Sequence, residues 1–201
     1  MDRAAWDARY REKDLLWTAE PNRFLVEVAS GIEPGVALDL AGGEGRNAVW
    51  LAERGWRVTV LDWSKVALDK GRTLAAARGV AADVTFMETD LLDWQPAKAS
   101  ADLVIVVYLQ VPSPHREGVW RNAAAAVRTG GRLIVIGHDS SNLTEGYGGP
   151  QDSVVLYTAD EVSAVLAGSL IVERSERVER PVEGEDGMHV ALDNVTVAFR
   201  P

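Results

Sequence analysis

The strongest constraint on what this chain can fold into is an alternation. Short apolar runs of strand length are separated repeatedly by stretches with helical spacing. VALDLA is followed by the helix-like RNAVWLAERG, WRVTVLD by SKVALDKGRTLAAARG, and DLVIVVYL by REGVWRNAAAAVRTGG ahead of RLIVIGHD. ADVTFMETD adds another strand, ending near Asp90. A parallel strand pair needs a crossover of a dozen or more residues, so this rhythm specifies a parallel sheet covered by helices on both faces. DLVIVVYL is the most apolar run and suits the centre of such a sheet. The punctuation agrees: Ser64 is a good N-cap, Gly55 and Gly79 are good stops, and Thr158 caps TADEVSAVLAG. Gly130 and Gly131 read as the stop of the helix that begins near Arg116.

The two ends of the chain depart from the alternation. Residues 169–180 and 188–200 read as strands joined by a short GEDG-containing connection, which makes them antiparallel. Ahead of the first core strand lie two expected helices, around 2–13 and 21–31, with Pro21 in the first turn of the second. The expected architecture is one domain over residues 1–201. It is a doubly wound α/β fold with a mostly parallel, seven-stranded, Rossmann-like sheet and a C-terminal antiparallel hairpin. Residues 34–201 form the core, and the N-terminal helices of 1–33 form a lid.

Open α/β sheets bind ligands at the carboxyl ends of their strands, near the point where strand order reverses. The turn AGGEGRN follows the first core strand at that end. By spacing alone it is ambiguous: Gly43-x-Gly45-x-x-Ala48, with Asp62 19 residues after Gly43, fits a dinucleotide fingerprint. A Walker loop is excluded, because no Gly-Lys-Ser/Thr follows. The charges tilt the reading. Asp39 at the strand end and Glu44 inside the turn would repel a pyrophosphate and suit a cationic ligand. S-adenosylmethionine, with a sulfonium, an ammonium and a ribose, meets that description.

With Asp39-Leu40-Ala41-Gly42-Gly43-Glu44-Gly45 as its first motif, the sequence resembles the class I S-adenosylmethionine-dependent methyltransferases. Ala41 stands where the family pattern has its first glycine. The resemblance implies that the backbone around Ala41, Gly43 and Gly45 lets the cofactor's methionine part approach closely. It further implies that Asp62 takes the ribose hydroxyls, that Asp90 binds the adenine amino group, and that Trp63 and Leu91 flank the adenine. GEGRNAVWLAERGW and the upstream WDARY and EPNRFL are most similar to the small-molecule branch, including tellurite-resistance-type methyltransferases. That branch often covers its site with N-terminal helices, so Trp6, Tyr10 and Trp17 become lid residues, Trp17 among the cofactor contacts. Arg46, beside Asn47, is placed to reach the cofactor's carboxylate or the lid.

Methyl transfer from a sulfonium is an in-line displacement, driven largely by holding nucleophile and methyl together. A base is needed only for a nucleophile with a tightly held proton. Tyr108 and His138, at the ends of the fourth and fifth strands, are the catalytic candidates, and Tyr108 is also a cofactor contact. Imidazole can accept a proton near neutral pH. Loops 109–118 and 139–157 are expected to shape the acceptor pocket, leaving the acceptor open among O, N, S and chalcogen nucleophiles. Two other readings compete: an NAD-dependent oxidoreductase on a related sheet, and an S-adenosylmethionine-binding protein without turnover.

Composition narrows the partners. Lys plus Arg number 21 and Asp plus Glu 30, for a net charge of -9, which disfavours nucleic acid and polybasic membrane anchoring. With no cysteine and three scattered histidines, no metal site is expected. The charged N-terminus is unlike a secretory signal, and no apolar stretch reaches the roughly 18 residues of a membrane span. The expectation is a cytoplasmic monomer or homodimer acting on a small molecule.

Overall fold

A computed structural model describes residues 2–201. Five strands, β1 (Val36–Leu40), β2 (Arg57–Asp62), β3 (Val84–Glu88), β4 (Ala101–Val107) and β5 (Val127–His138), run parallel. β6 (Ile171–Gly184) and β7 (Gly187–Phe199) form the antiparallel hairpin, and β7 joins the sheet antiparallel to β5. The order is β3-β2-β1-β4-β5-β7-β6, so strand order reverses between β1 and β4.

Side chains on a strand alternate between faces, and β4 shows the division. Leu103, Ile105 and Val107 pack on one face with Phe24 and Leu25 of α2 (Arg23–Ala29), Val49 and Leu51 of α3 (Arg46–Ala52), and Leu68 of α4 (Lys65–Ala77). Val104 and Val106 pack on the other with Trp120 of α5 (His115–Ala126) and Val162 and Leu166 of α7 (Ala159–Leu166). Fully buried on both faces, β4 has the central place its composition implies.

The helix starts follow cap chemistry. Ser64 accepts the Ala67 N–H, and Thr158 and Glu161 complete a capping box. Two boundaries differ from expectation. Asn22 is the N-cap of α2, accepting the Phe24 and Leu25 N–H groups, so Pro21 lies before the helix rather than in its first turn. α5 ends at Ala126, ahead of Gly130, because its carbonyls are already taken: Ala99 and Ser100 N–H groups donate to Ala125 and Ala126. β5 begins at once, at Val127, and Gly130 supplies a left-handed turn (φ 80°) within it.

The connection 139–157 is not wholly irregular. It holds α6 (Asn142–Glu145) and a single 3-10 turn at Ser153–Val155. At the N-terminus α1 (Arg3–Arg11) packs over α4, and Lys70 donates to the backbone carbonyls of Tyr10 and Lys13. No helix among the described residues is long and apolar enough to cross a membrane.

The candidate functional site

A cavity of about 440 Å³ opens over the carboxyl ends of β1, β2, β3, β4 and β5. Ala41, Gly43, Arg46, Asp62, Trp63, Asp90, Leu91, Tyr108, His138 and Trp17 all line it, brought together from six separate segments. Asp39 and Gly45 do not. Gly45 caps α3 at φ 70° and packs on the Phe86 ring, where a Cβ would stand 2.7 Å from Cε1. Asp39 lies behind the turn, fully buried, with neither carboxylate oxygen hydrogen-bonded.

That arrangement has a local cause. Gly42 has no side chain, and a Cβ there would sit 2.7 Å from the Asp39 carboxyl carbon. The turn therefore folds directly onto Asp39. Burial, and next the nearby Asp62, push the Asp39 carboxyl up to about 7. Ala41 and Gly43 both adopt φ 55°, so the alanine carries a conformation in which glycine is at ease.

Asp62 braces the turn from the next strand. One oxygen accepts the Gly43 N–H at 2.9 Å and the other accepts the Ser64 N–H at 2.8 Å. It is thus a turn former as well as a cavity residue. A carboxylate has about four lone-pair sites, so accepting capacity remains for a ligand. Burial raises its pKa, against backbone hydrogen bonds from Ser64, Gly43 and Trp63. Asp90 is exposed and accepts the Leu92 N–H at 2.9 Å, also holding a turn at the cavity rim.

Glu44 does something the sequence did not disclose. Nearly fully buried, it accepts the Leu16 N–H at 3.0 Å and the Trp17 N–H at 3.3 Å, and pairs with Lys70 at 3.3 Å. The acid in the glycine turn is the anchor of the N-terminal segment over the cavity. Tyr10 reaches the same turn: a Cβ on Gly43 would meet its hydroxyl at 2.6 Å. Asn47 adds a third tie, accepting the Asn22 N–H at 2.9 Å, and Arg46 donates to the Thr18 hydroxyl at 3.4 Å.

The opposite end of the cavity is built on Asp193 of β7. Asp193 has no solvent exposure. It accepts from the Tyr108 hydroxyl at 2.7 Å and Arg180 Nε at 2.6 Å, and meets His138 Nδ1 at 3.0 Å. Burial alone would raise its pKa; the hydrogen bonds from His138 and Arg180 outweigh that and hold it below the usual range. The Tyr108 and His138 rings stack with centroids 4.4 Å apart. Tyr108 takes φ 59°, which swings its ring off the end of β4 toward Asp193.

Sequence reasoning overlooked Arg180 and Asp193. The signal was there: Asp193, Asn194 and Thr196 are polar residues inside an otherwise apolar strand, and all three are fully buried. Of the loops expected to shape the pocket, Leu109, Gln110 and Val111 do line it. Residues 139–157 do not; Asn142 instead braces the hairpin by accepting the Leu192 N–H at 2.6 Å. Beyond His138, paired with Asp193, the hairpin overhangs the sheet and supplies Arg180 and Pro181 as a wall. Among the described residues no three His, Asp or Glu side chains are grouped to hold a metal ion.

The donor set fits a cationic nucleoside with an amino-acid tail: buried carboxylates at one end, a ribose-capable Asp62, aromatic and aliphatic walls, and Arg46 for a carboxylate. Comparison with known proteins agrees. Residues 37–131 match the family model described as a methyltransferase domain. The chain is 28% identical over 174 residues to glycine N-methyltransferase of Oryctolagus cuniculus, covering 75% of this chain and 59% of that protein. It is 32% identical over 102 residues to the ubiquinone/menaquinone biosynthesis C-methyltransferase UbiE of Rhizobium meliloti, covering 49% and 40%. The chain thus spans less than two thirds of these relatives. TehB from Haemophilus influenzae superposes with a TM-score of 0.75 at 15% identity, over 97% of this chain and 66% of that one, a likeness of fold. The dinucleotide reading of the same glycines gives way to the match of the domain.

Proposed function

We propose that this chain is a class I S-adenosylmethionine-dependent methyltransferase that transfers a methyl group to a small-molecule nucleophile inside the cavity at its strand ends. When bound, the cofactor supplies an electrophilic methyl on a sulfonium. The observation that carries the reading is Asp62: it holds the glycine turn by the Gly43 N–H, lines the cavity and keeps accepting capacity for a ribose hydroxyl.

Each residue then has work to do. Glu44 places negative charge beside the turn, and buried Asp39 behind it is ionised more readily once a cation stands in front. Arg46 holds the cofactor's carboxylate. Trp63, Leu91 and Asp90 bound the adenine end, and Trp17, tied down through Glu44, closes the top and limits water. At the far end Asp193 fixes His138 by Nδ1 and leaves Nε2 as the proton acceptor for a nucleophile that carries a proton. Tyr108 stacks on His138 and sets its plane.

A small acceptor is supported by the size of the cavity, which falls within the roughly 300–1,000 Å³ typical of small-ligand sites. The net charge of -9 favours the same reading over nucleic acid. We read residues 1–33 as the lid of a single domain and the protein as cytoplasmic. The experiment is a methyl-transfer screen with labelled cofactor over phenols, thiols, heterocyclic amines and chalcogen oxyanions. Turnover of a small acceptor that is lost in Asp62→Ala supports the proposal. Cofactor binding with no turnover of any acceptor class would replace it with a non-catalytic binding protein.

A further inference from the structure

The titratable groups around the cavity are segregated. Glu44, Asp62 and Asp90 follow β1, β2 and β3, at one side of the reversal in strand order. At the other, Arg180 stands on the hairpin with buried Asp193 behind it, and Arg23 at the start of α2 follows Asn22, whose side chain lies beside Tyr108. The acidic side suits the cationic cofactor, and Arg46 is used for its carboxylate. That leaves two guanidinium groups on the acceptor side with no substrate role.

Arg180 is a built feature. Its side chain is about three-quarters buried (24% exposed), and Nε is fixed to fully buried Asp193 at 2.6 Å. A guanidinium carries five N–H donors; Nε–H is spent on Asp193 and one contact is made to the Tyr108 side chain, so terminal N–H groups remain for a ligand. Planar, bidentate recognition of a carboxylate is what such a fork does well. Arg23 stacks on Phe24 at 5.4 Å and forms no ion pair among the described residues, although it lines the same cavity. The same cavity is lined by Val107, Leu109, Val111 and Pro181, which are apolar.

We infer that the methyl acceptor carries a carboxylate, gripped by Arg180 and steered by Arg23, on an apolar body that packs against Val111 and Pro181. This rests on the methyltransferase reading of the site. The carboxylate docks at Arg180 while the nucleophilic atom faces His138, so one end of the acceptor is fixed and the other is presented to the methyl.

The test uses matched acid and amide pairs, titrated into the full chain saturated with S-adenosylhomocysteine: 4-hydroxybenzoate with 4-hydroxybenzamide, 4-hydroxyphenylacetate with its amide, and indole-3-carboxylate with its amide. The acid should bind at least tenfold more tightly than the amide in the pairs that bind. Arg180→Met should erase that preference, and Arg23→Gln should reduce acid affinity several-fold, with S-adenosylhomocysteine affinity unchanged in both. Because Arg180→Met removes a partner of buried Asp193, Arg23→Gln serves as the second arm, on an exposed side chain. Amides binding as well as acids, no acid binding to a protein that does bind S-adenosylhomocysteine, or a preference that survives both substitutions would overturn the inference alone. Failure of S-adenosylhomocysteine itself to bind would overturn the methyltransferase reading and this inference with it.

Discussion

His138 Nδ1 lies 3.0 Å from a carboxylate oxygen of Asp193, and Asp193 has no exposure to solvent. An ionised Asp193 can only accept, so in neutral His138 the proton sits on Nδ1 and the Nε2 lone pair is the one that faces outward. For an acceptor with an O–H, S–H or N–H group, His138→Ala should lower kcat by roughly 100-fold or more, within the usual range for a general base. S-adenosylhomocysteine affinity should change less than twofold, measured by calorimetry. Asp193→Asn loses one of the two accepting oxygens that fix the ring and the Tyr108 hydroxyl, so kcat should fall here too with S-adenosylhomocysteine affinity unchanged. Loss of cofactor affinity together with kcat would mark Asp193 as structural.

Asp39 makes a separate prediction about stability. Its pKa is raised from the ordinary carboxylate range to about 7 by burial and by Asp62. The native state therefore holds this proton more tightly than the unfolded chain. Stability is unaffected by the group below about pH 4, and declines as pH rises from there to about 7, where the cost is complete. Asp39→Asn should raise stability at pH 8 by on the order of 3 kcal/mol in denaturant titration, and change little at pH 4. A cationic ligand in front of the turn would ionise Asp39. Binding of S-adenosylmethionine at pH 6.5 should then release more proton than binding of S-adenosylhomocysteine, read from calorimetry in buffers of different ionisation enthalpy.

Glu44 should behave as a lid anchor. Glu44→Ala removes the acceptor for Leu16 and Trp17 and leaves Lys70 without its carboxylate. Amide exchange at residues 14–18 should quicken while the β4 and β5 amides stay protected. The loss of stability should be about 1–3 kcal/mol, as for a buried charged hydrogen-bond acceptor. Equal exchange at all sites would mean that the segment is not held through Glu44.

Gly43 is the point where lid and turn meet. Gly43→Ala forces a side chain into φ 55° and against the Tyr10 hydroxyl. Cofactor affinity should fall roughly tenfold or more, since the strain falls on the turn itself. Gly79→Ala, with open space around it at φ 74°, carries backbone strain only and should leave affinity intact.

Much of this architecture was legible. The strand–helix rhythm, Ser64, Thr158 and the short hairpin turn all express local rules, and local rules are written in adjacent residues. Helix α5 was read three residues too long because its end is set by Ala99 and Ser100 folding back on it, a contact across some 25 residues. The cavity side chains after β1, β2 and β3 were legible because they follow strand ends at fixed intervals. Arg180 and Asp193 were not, because a hairpin brings them from β6 and β7 to β4 and β5. Glu44 was read by its charge alone; its structural work depends on Leu16 and Trp17, which carry no motif.

Asp62 bears the central claim, that the cavity is an S-adenosylmethionine site. Calorimetric titration of S-adenosylhomocysteine into wild-type protein and Asp62→Ala tests it most directly. The account predicts one site per chain in the wild type and at least a tenfold loss in a folded Asp62→Ala variant, as expected for removing a charged hydrogen-bond acceptor. No binding to folded wild-type protein at high micromolar ligand, or wild-type affinity in the variant, would contradict it.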